Sequence, residues 1–185
     1  MADLPPPQEV LRFWFDAPKS WFAKEQSFDA AVRERFLLLY GQAAAGRLAH
    51  WKAAPGSCLA LILVLDQFPR NMFRGTARAF AADALALDAA RHAVASGYDR
   101  GMPPAQRMFV YLPFEHSESP DDQGRACELT EPLTAFPDSA EAHRYALAHR
   151  EIVRRFGRFP HRNAILGRPS TPEEIEFLKG PGSTF

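Results

Sequence analysis

The feature that most constrains the fold is an uninterrupted apolar run from Cys58 to Leu65, which ends at the carboxylate of Asp66. The run is far shorter than the roughly 20 residues that a membrane-spanning helix requires. A helix that is apolar on every side is normally surrounded by other parts of the protein. The run therefore predicts a central helix over residues 58–67, and Pro69 is expected to end it because proline disfavours helical geometry in the preceding residue.

The rest of the chain shows the same helical period, with apolar residues three and four positions apart. No segment has the alternating pattern that is typical of a strand. Further helices are predicted over Glu9–Phe15, from Ser27 to about Leu48, from Thr76 to Ser96, over Pro103–Leu112, over Arg125–Phe136, from Asp138 or Ser139 to Phe156, and from Thr171 to Lys179. This pattern predicts one all-α domain over residues 1–185, a compact array of antiparallel helical hairpins, with residues 1–8 flexible.

The composition argues against several classes of partner. The 22 Lys and Arg residues balance the 22 Asp and Glu residues, whereas proteins that bind nucleic acids carry a net positive surface. We therefore expect neither a nucleic-acid partner nor a membrane partner. Two cysteines are too few for a disulfide framework, and residues 1–8 lack the basic and apolar regions of a signal peptide. The sequence predicts a soluble protein of the cytoplasm.

Three polar segments interrupt the helical pattern, and the first covers residues 66–71. Asp66 directly follows the apolar run, and a buried carboxylate requires a partner. Arg70 lies one helical turn further on and supplies a positive charge. The segment is interpreted either as an internal ion pair that fixes the end of the helix or, together with Asn71, as part of a ligand site.

The other two polar segments carry opposite charges. Residues 115–131 contain six acidic residues and a single arginine, Arg125. Residues 149–168 contain six arginines and a single acidic residue, Glu151. The two segments either pair with each other or face a shared cleft.

Histidines in these segments are candidates for proton transfer, because imidazole titrates near neutral pH. His149 lies on the apolar face of its predicted helix, so it is expected to point into the core. An inward-facing histidine is more often a hydrogen-bonded core residue than a catalyst. His161 and Arg162 lie in a predicted loop, and loops on a rigid scaffold often carry function.

The sequence lacks the short motifs of well-known catalytic and cofactor sites. It contains no glycine-rich phosphate loop, no GxSxG elbow, no HExxH and no CxxC. A metal site built from Asp66, His116, Glu118 and His149 would lack the usual ligand spacing on one helix. We therefore predict neither a metal nor a cofactor.

Four longer strings resemble the bacterial family that is catalogued as domain-of-unknown-function family 924. The strings are Phe13-Trp14-Phe15 with Trp21-Phe22, Leu65-Asp66-Gln67-Phe68-Pro69-Arg70-Asn71, Tyr111-Leu112-Pro113-Phe114-Glu115-His116-Ser117-Glu118, and Arg155-Phe156-Gly157-Arg158-Phe159-Pro160-His161-Arg162-Asn163. The resemblance extends over residues 10–185. It implies an all-helical fold similar to tetratricopeptide-like hairpins, although this chain lacks the tetratricopeptide consensus at its usual period. It implies no activity and no catalytic residue.

One functional hypothesis is a binding or catalytic site for a small anionic molecule, formed where the polar segments converge. Arginines bind carboxylate or phosphate groups well, and a histidine can act as general acid or base. The catalytic candidates are His116, His161 and Glu118. The ligand-binding candidates are Asp66, Arg70, Asn71, His149, Arg158, Arg162 and Asn163.

A second hypothesis is a protein- or peptide-interaction module of the tetratricopeptide-like kind. It requires an exposed apolar patch, for which Trp21, Phe22 and Phe185 are the candidates. In a third interpretation, the charged segments form internal salt-bridge networks that fix helix ends and loops and have no other role.

Overall fold

A single buried helix organises the fold. The computed structural model describes residues 4–183. Its third helix, α3, covers Pro55–Met72 and contacts α1 (Pro7–Phe15), α2 (Gln26–Ala44), α4 (Asp83–Ala95) and α5 (Pro104–Glu115). Every residue from Cys58 to Pro69 is buried. The central helix predicted from the apolar run is therefore confirmed.

The remaining helices are α6 (Pro120–Thr130), α7 (Glu141–Phe156) and α8 (Pro172–Phe177). They complete an array in which consecutive helices from α2 to α7 pack against each other. The described residues contain no strand, so the all-α prediction is confirmed, whereas the tetratricopeptide-like comparison stays a prediction. Because α1 begins at Pro7, residues 7 and 8 are helical rather than flexible, and residues 1–3 lie outside the described part of the chain.

Two helices continue through prolines that were expected to end them. Helix α3 passes Pro69 and ends at Met72, and α5 passes Pro113 and ends at Glu115. A proline inside a helix removes one backbone hydrogen bond and costs about 3 kcal/mol. Phe68 before Pro69, and Leu112 and Phe114 on the two sides of Pro113, are buried, so tertiary packing outweighs this local cost.

Several predicted helix starts were also wrong. The polar segment after α5 is not a loop up to Gly124, because α6 already begins at Pro120. Helix α2 begins one residue before Ser27, with Glu25 at the N-cap. Thr76 precedes only a short 3-10 turn over Ala77–Phe80, since α4 begins at Asp83. This break places Asp83 in the first turn of a helix.

The starts of α7 and α8 lie close to their predicted positions. Asp138 belongs to a short 3-10 turn that precedes α7, and the left-handed Gly157 (φ 69°) ends α7 as expected. At α8 the predicted cap is present, because the Thr171 side chain accepts from Glu174 N and the Glu174 carboxylate accepts from Thr171 N. Helix α8 is two residues shorter than predicted, ending at Phe177.

No helix within residues 4–183 combines the length and the apolarity that crossing a membrane would require.

Aromatic rings fill the space between α1, α2 and α3. The Phe68 ring lies 4.7 Å from the Phe36 ring, 5.7 Å from the Trp14 ring and 6.4 Å from the Phe13 ring, measured between centroids. Phe68 has no exposed surface. The ring therefore connects three helices, and it stands two residues after Asp66.

We predict that Phe68→Ala lowers the free energy of unfolding by about 3–5 kcal/mol, because it removes a buried ring and leaves a cavity. Urea unfolding followed by circular dichroism measures the change. Phe22→Ala is the control, since Phe22 is 66% exposed and surface substitutions usually change stability by less than about 0.5 kcal/mol. Equal losses in the two variants would contradict the central role of Phe68.

Candidate functional site

A fully buried carboxylate, Asp66 in α3, forms the inner end of the candidate site. Its Oδ1 accepts from His116 Nδ1 at 2.7 Å and lies 3.2 Å from Arg70 Nη1. Its Oδ2 accepts from Gln67 Nε2 at 2.6 Å. Burial alone would raise the pKa of Asp66, but the Arg70 charge and these hydrogen bonds outweigh it and hold the pKa well below its usual range. Asp66 is therefore ionised.

His116 is the C-cap residue of α5, and Asp66 fixes its tautomer. An ionised carboxylate only accepts hydrogen bonds, so His116 Nδ1 carries the proton. Burial, together with the Arg70 charge, lowers the pKa of His116, so the ring is neutral near pH 7. Its Nε2 consequently has a free lone pair, and it forms no hydrogen bond with residues 4–183.

Arg70 connects the buried carboxylate to α4. Its Nη1 and Nη2 donate to the two carboxylate oxygens of Asp83 at 2.9 and 3.0 Å, and its Nη1 also donates to the Asp66 carbonyl at 2.7 Å. A bidentate guanidinium–carboxylate pair fixes orientation as well as distance. Arg70 thus holds the first turn of α4 against the last turn of α3.

Arg162 lies on the other side of His116 and is held between two aromatic rings. Its guanidinium carbon is 4.6 Å from the ring centroid of Phe80 and 4.6 Å from that of Phe159. Its Nη1 donates to the His116 carbonyl at 3.1 Å. Its Nε is buried and has no hydrogen-bond partner, and its Nη2 makes no hydrogen bond with the described chain. Arg162 is only 7% exposed, so these open donors are unusual.

His116 and Arg162 line an open cleft of about 440 Å³. This volume lies within the range of roughly 300–1,000 Å³ that is typical of small-molecule sites. The other polar side chains of the cleft are Asp83, Ser117 and Glu118. The cleft lies where the end of α5, the start of α4 and the loop after Phe159 meet.

Glu118 joins the acidic segment to the basic one. Its two oxygens accept from Arg168 Nη1 and Nη2 at 2.7 and 2.9 Å, and Oε1 also accepts from Phe159 N at 2.8 Å. Burial would raise the pKa of Glu118, but the hydrogen bonds from Arg168 and Phe159 lower it overall. Glu118 therefore lines the cleft as a carboxylate whose hydrogen bonds position the Phe159 loop.

A second acid–histidine pair lies beneath His116. Glu115 Oε1 and His149 Nδ1 are 3.0 Å apart, and the His149 ring centroid lies 6.3 Å from that of His116. Burial, with a smaller effect of the Asp66 charge, raises the pKa of Glu115 to about 8. Burial lowers the pKa of His149 to about 3. The hydrogen bond of His149 Nδ1 is to the Tyr145 carbonyl, at 2.9 Å. Glu115 and His149 are therefore neutral neighbours rather than an ion pair, and His149 is a hydrogen-bonded core residue, as predicted.

Four of the other candidates do not line the cleft. His161 lies against Phe159, with ring centroids 5.7 Å apart, and burial lowers its pKa to about 4. Arg158 donates from Nε and Nη2 to both oxygens of Glu174 at 2.7 and 2.8 Å. Asn163 Nδ2 lies 3.3 Å from Glu174 Oε2. The contacts that Arg158 and Asn163 make with Glu174 hold α8 in place.

Asn71 is the fourth candidate that does not line the cleft. Its Nδ2 donates to Asp29 Oδ1 at 2.7 Å and so joins α3 to α2. Two cleft residues that sequence reasoning missed are Phe80 and Asp83. Phe80 and Asp83 belong to a segment with an ordinary amphipathic pattern, and the only available signal for Asp83 was its position before an alanine-rich helix. In residues 4–183, no three His, Cys, Asp or Glu side chains form a group that could hold a metal.

We predict that Glu115→Gln flattens the pH dependence of stability between about pH 6.5 and 8. The unfolded glutamate releases its proton near pH 4.3, whereas the folded one retains it up to about pH 8. Over that range the unfolded state binds fewer protons, so wild-type stability falls as the pH rises, by up to about 1.4 kcal/mol per pH unit. Unfolded histidines also titrate near pH 6.5, but their contribution is common to the wild type and the variant. The difference between the two slopes therefore isolates the Glu115 contribution.

Urea unfolding at half-unit pH intervals measures this slope. Glu128→Gln is the matched control, because Glu128 is an exposed glutamate of α6. A Glu115→Gln slope identical to those of the wild type and of Glu128→Gln would show that Glu115 is ionised in the folded protein.

The comparisons with known proteins agree with the fold. The family model described as "Bacterial protein of unknown function (DUF924)" matches residues 10–182. A solved structure of a protein of unknown function from Agrobacterium tumefaciens is similar, with a TM-score of 0.89 and 44% sequence identity. The similarity covers 94% of this chain and 97% of that one. No curated protein matches. The predicted resemblance is confirmed, and this chain belongs to the bacterial family DUF924.

Proposed function

We propose that the cleft binds a small molecule with a carboxylate or phosphate group, and that His116 acts on this molecule as a general base. One observation carries the proposal. Asp66 binds Nδ1 of His116 and thereby leaves the lone pair of Nε2 available in a cleft that also contains an incompletely paired arginine.

The hydrogen-bond inventory of the cleft favours an anionic ligand. Both oxygens of Asp83 accept from Arg70, and both oxygens of Glu118 accept from Arg168. Both carboxylates of the cleft are thus already paired with arginines, and Asp83 Oδ2 also lies 3.5 Å from Arg162 Nη1. Nε and Nη2 of Arg162, in contrast, make no hydrogen bond within residues 4–183. A buried donor that lacks a partner costs about 1–3 kcal/mol, and more when its group is charged. A ligand oxygen that accepts from Arg162 would recover part of this cost.

The geometry of Asp66 and His116 supports proton abstraction. A carboxylate that accepts from one imidazole nitrogen orients the ring and stabilises the imidazolium that forms when the other nitrogen takes up a proton. A lowered pKa keeps His116 in the basic form at neutral pH. Ser117 donates its hydroxyl proton to Asp122 Oδ2 at 2.7 Å, so that proton is directed away from His116. The proton that His116 accepts therefore comes from water or from the ligand.

We predict that Ala84→Phe blocks binding while the protein stays folded. Ala84 lines the cleft and is exposed in the first turn of α4, so a large side chain there fills the cleft without disturbing the core. A ligand at a hundred times its dissociation constant stabilises the native state by about 2.7 kcal/mol. A thermal-shift screen of small carboxylates and phosphates should therefore give hits with the wild type that Ala84→Phe abolishes.

Leu85→Phe is the matched control for that screen. Leu85 is the next residue of the same helix, is 39% exposed and does not line the cleft. Hits should be retained in this variant. Hits that survive in Ala84→Phe would place the ligand elsewhere on the protein and contradict the proposed site.

We also predict that a bound anion raises the pKa of His116, because a nearby negative charge favours the imidazolium. An NMR titration of the histidine side chains, with and without the first hit of the screen, measures this shift. The expected rise is about one pH unit. At each pH, the signals of His50, an exposed histidine, should be the same with and without the ligand. An unchanged pKa of His116 would show that the ligand binds without contacting this proposed base.

The interaction module is the second candidate function, and one observation favours it. Phe22 is 66% exposed and stacks on Phe109, with ring centroids 6.1 Å apart. Trp21 is only partly exposed, and its Nε1 donates to the Trp14 carbonyl at 2.7 Å. Phe185 lies outside the described residues. A pull-down in which one partner is lost with Phe22→Ser would support this function. The cytoplasmic location stays a prediction.

A further inference from the structure

The cleft has two chemically different parts. Its polar part contains His116 and Arg162 at the end of α5 and in the loop after Phe159. Its apolar lining consists mainly of Phe80, Leu87 and Leu166 together with alanines of the α4 region. Leu166 is 38% exposed and lies one turn beyond Arg162, with its backbone N–H bonded to the Arg162 carbonyl. Apolar side chains next to an open guanidinium suit a ligand with both an anionic group and an apolar body.

The charges around the cleft limit how negative that anionic group is. Asp66, Asp83 and Glu118 contribute three negative charges. Arg70, Arg162 and Arg168 contribute three positive charges, and His116 is neutral. The two carboxylates that line the cleft repel a dianion, and of the three arginines only Arg162 lines it. This balance favours a singly charged carboxylate over a phosphate monoester, which carries between one and two negative charges at pH 7.

We propose that the ligand of the cleft is a monocarboxylic acid with an apolar body, whose carboxylate binds Arg162 and whose body packs against Leu166, Leu87 and Phe80. This inference rests on the proposed function and narrows its ligand class. Leu166 is then a specificity-determining residue, since it contacts the part of the ligand that distinguishes one acid from another.

A series of straight-chain carboxylates from acetate to octanoate tests the inference, with dissociation constants measured by NMR titration of the protein. A buried methylene contributes about 0.8 kcal/mol, which corresponds to about fourfold in affinity, and an open cleft buries part of each group. The dissociation constant should therefore fall twofold to fourfold per added methylene. Hexyl phosphate should bind at least tenfold more weakly than heptanoate.

Two variants assign the effect to the cleft. Leu166→Asn should bind acetate as the wild type does but should lose most of the dependence on chain length. Phe22→Asn, at an exposed aromatic residue that does not line the cleft, should retain it. A dependence that is lost in Phe22→Asn and retained in Leu166→Asn would overturn the inference, because the chains would then bind at another apolar surface.

The other outcomes separate the inference from the proposed function. If affinity is the same for all chain lengths and Ala84→Phe abolishes binding, the anion site stands and the apolar-body inference is wrong. If hexyl phosphate binds more tightly than heptanoate, the preference for a monocarboxylate is wrong. If no member of either series binds the wild type at its solubility limit, the inference and the proposed function both fail.

Discussion

A carboxylate without any exposed surface, in the middle of the most buried helix, is the constraint on which the candidate site depends. A buried charge is tolerated only when it is paired and hydrogen-bonded. Asp66 meets this requirement through Arg70, one turn further along α3, and through His116, at the end of α5. Arg70 in turn binds Asp83 at the start of α4. The partners that stabilise one buried charge thereby fix the relative positions of α3, α4 and α5 around the cleft.

Helix positions could be predicted where local pattern and tertiary packing agree, and not where they conflict. The apolar run after Cys58 and the cap at Thr171 needed no distant contact and were correct. Pro69 and Pro113 did not end their helices, because burial of the neighbouring side chains outweighs a local preference. The start of α6 at Pro120 was missed although it resembles the start of α8, with a proline in the first turn followed by acidic residues. There, the high charge of the segment concealed a recognisable helix start.

The site was foreseeable only in part, since its residues come from four separate segments. Asp66 and Arg70 are one turn apart, so their pairing follows from sequence spacing. The contact between Asp66 and His116 spans 50 residues, and no local pattern predicts it. Arg158 and Arg162 belong to one string, yet the first binds Glu174 and only the second lines the cleft. The two oppositely charged segments pair with each other and also face a shared cleft. Glu118 pairs with Arg168, while His116 and Arg162 line the cleft.

The segments that line the cleft pack in different hydrophobic clusters. Helices α3, α4 and α5 carry the main core, whereas Phe159, which stacks on Arg162, packs in a small separate cluster with Ile152 and Val153. Small clusters open at lower free energy than a main core does, through local unfolding. A molecule that contacts His116 and Arg162 together would connect the two clusters. Ligand binding in the cleft and local unfolding of the C-terminal segment are then linked equilibria. Amide hydrogen exchange in that segment therefore reports whether the cleft is occupied, even when the reaction is not known.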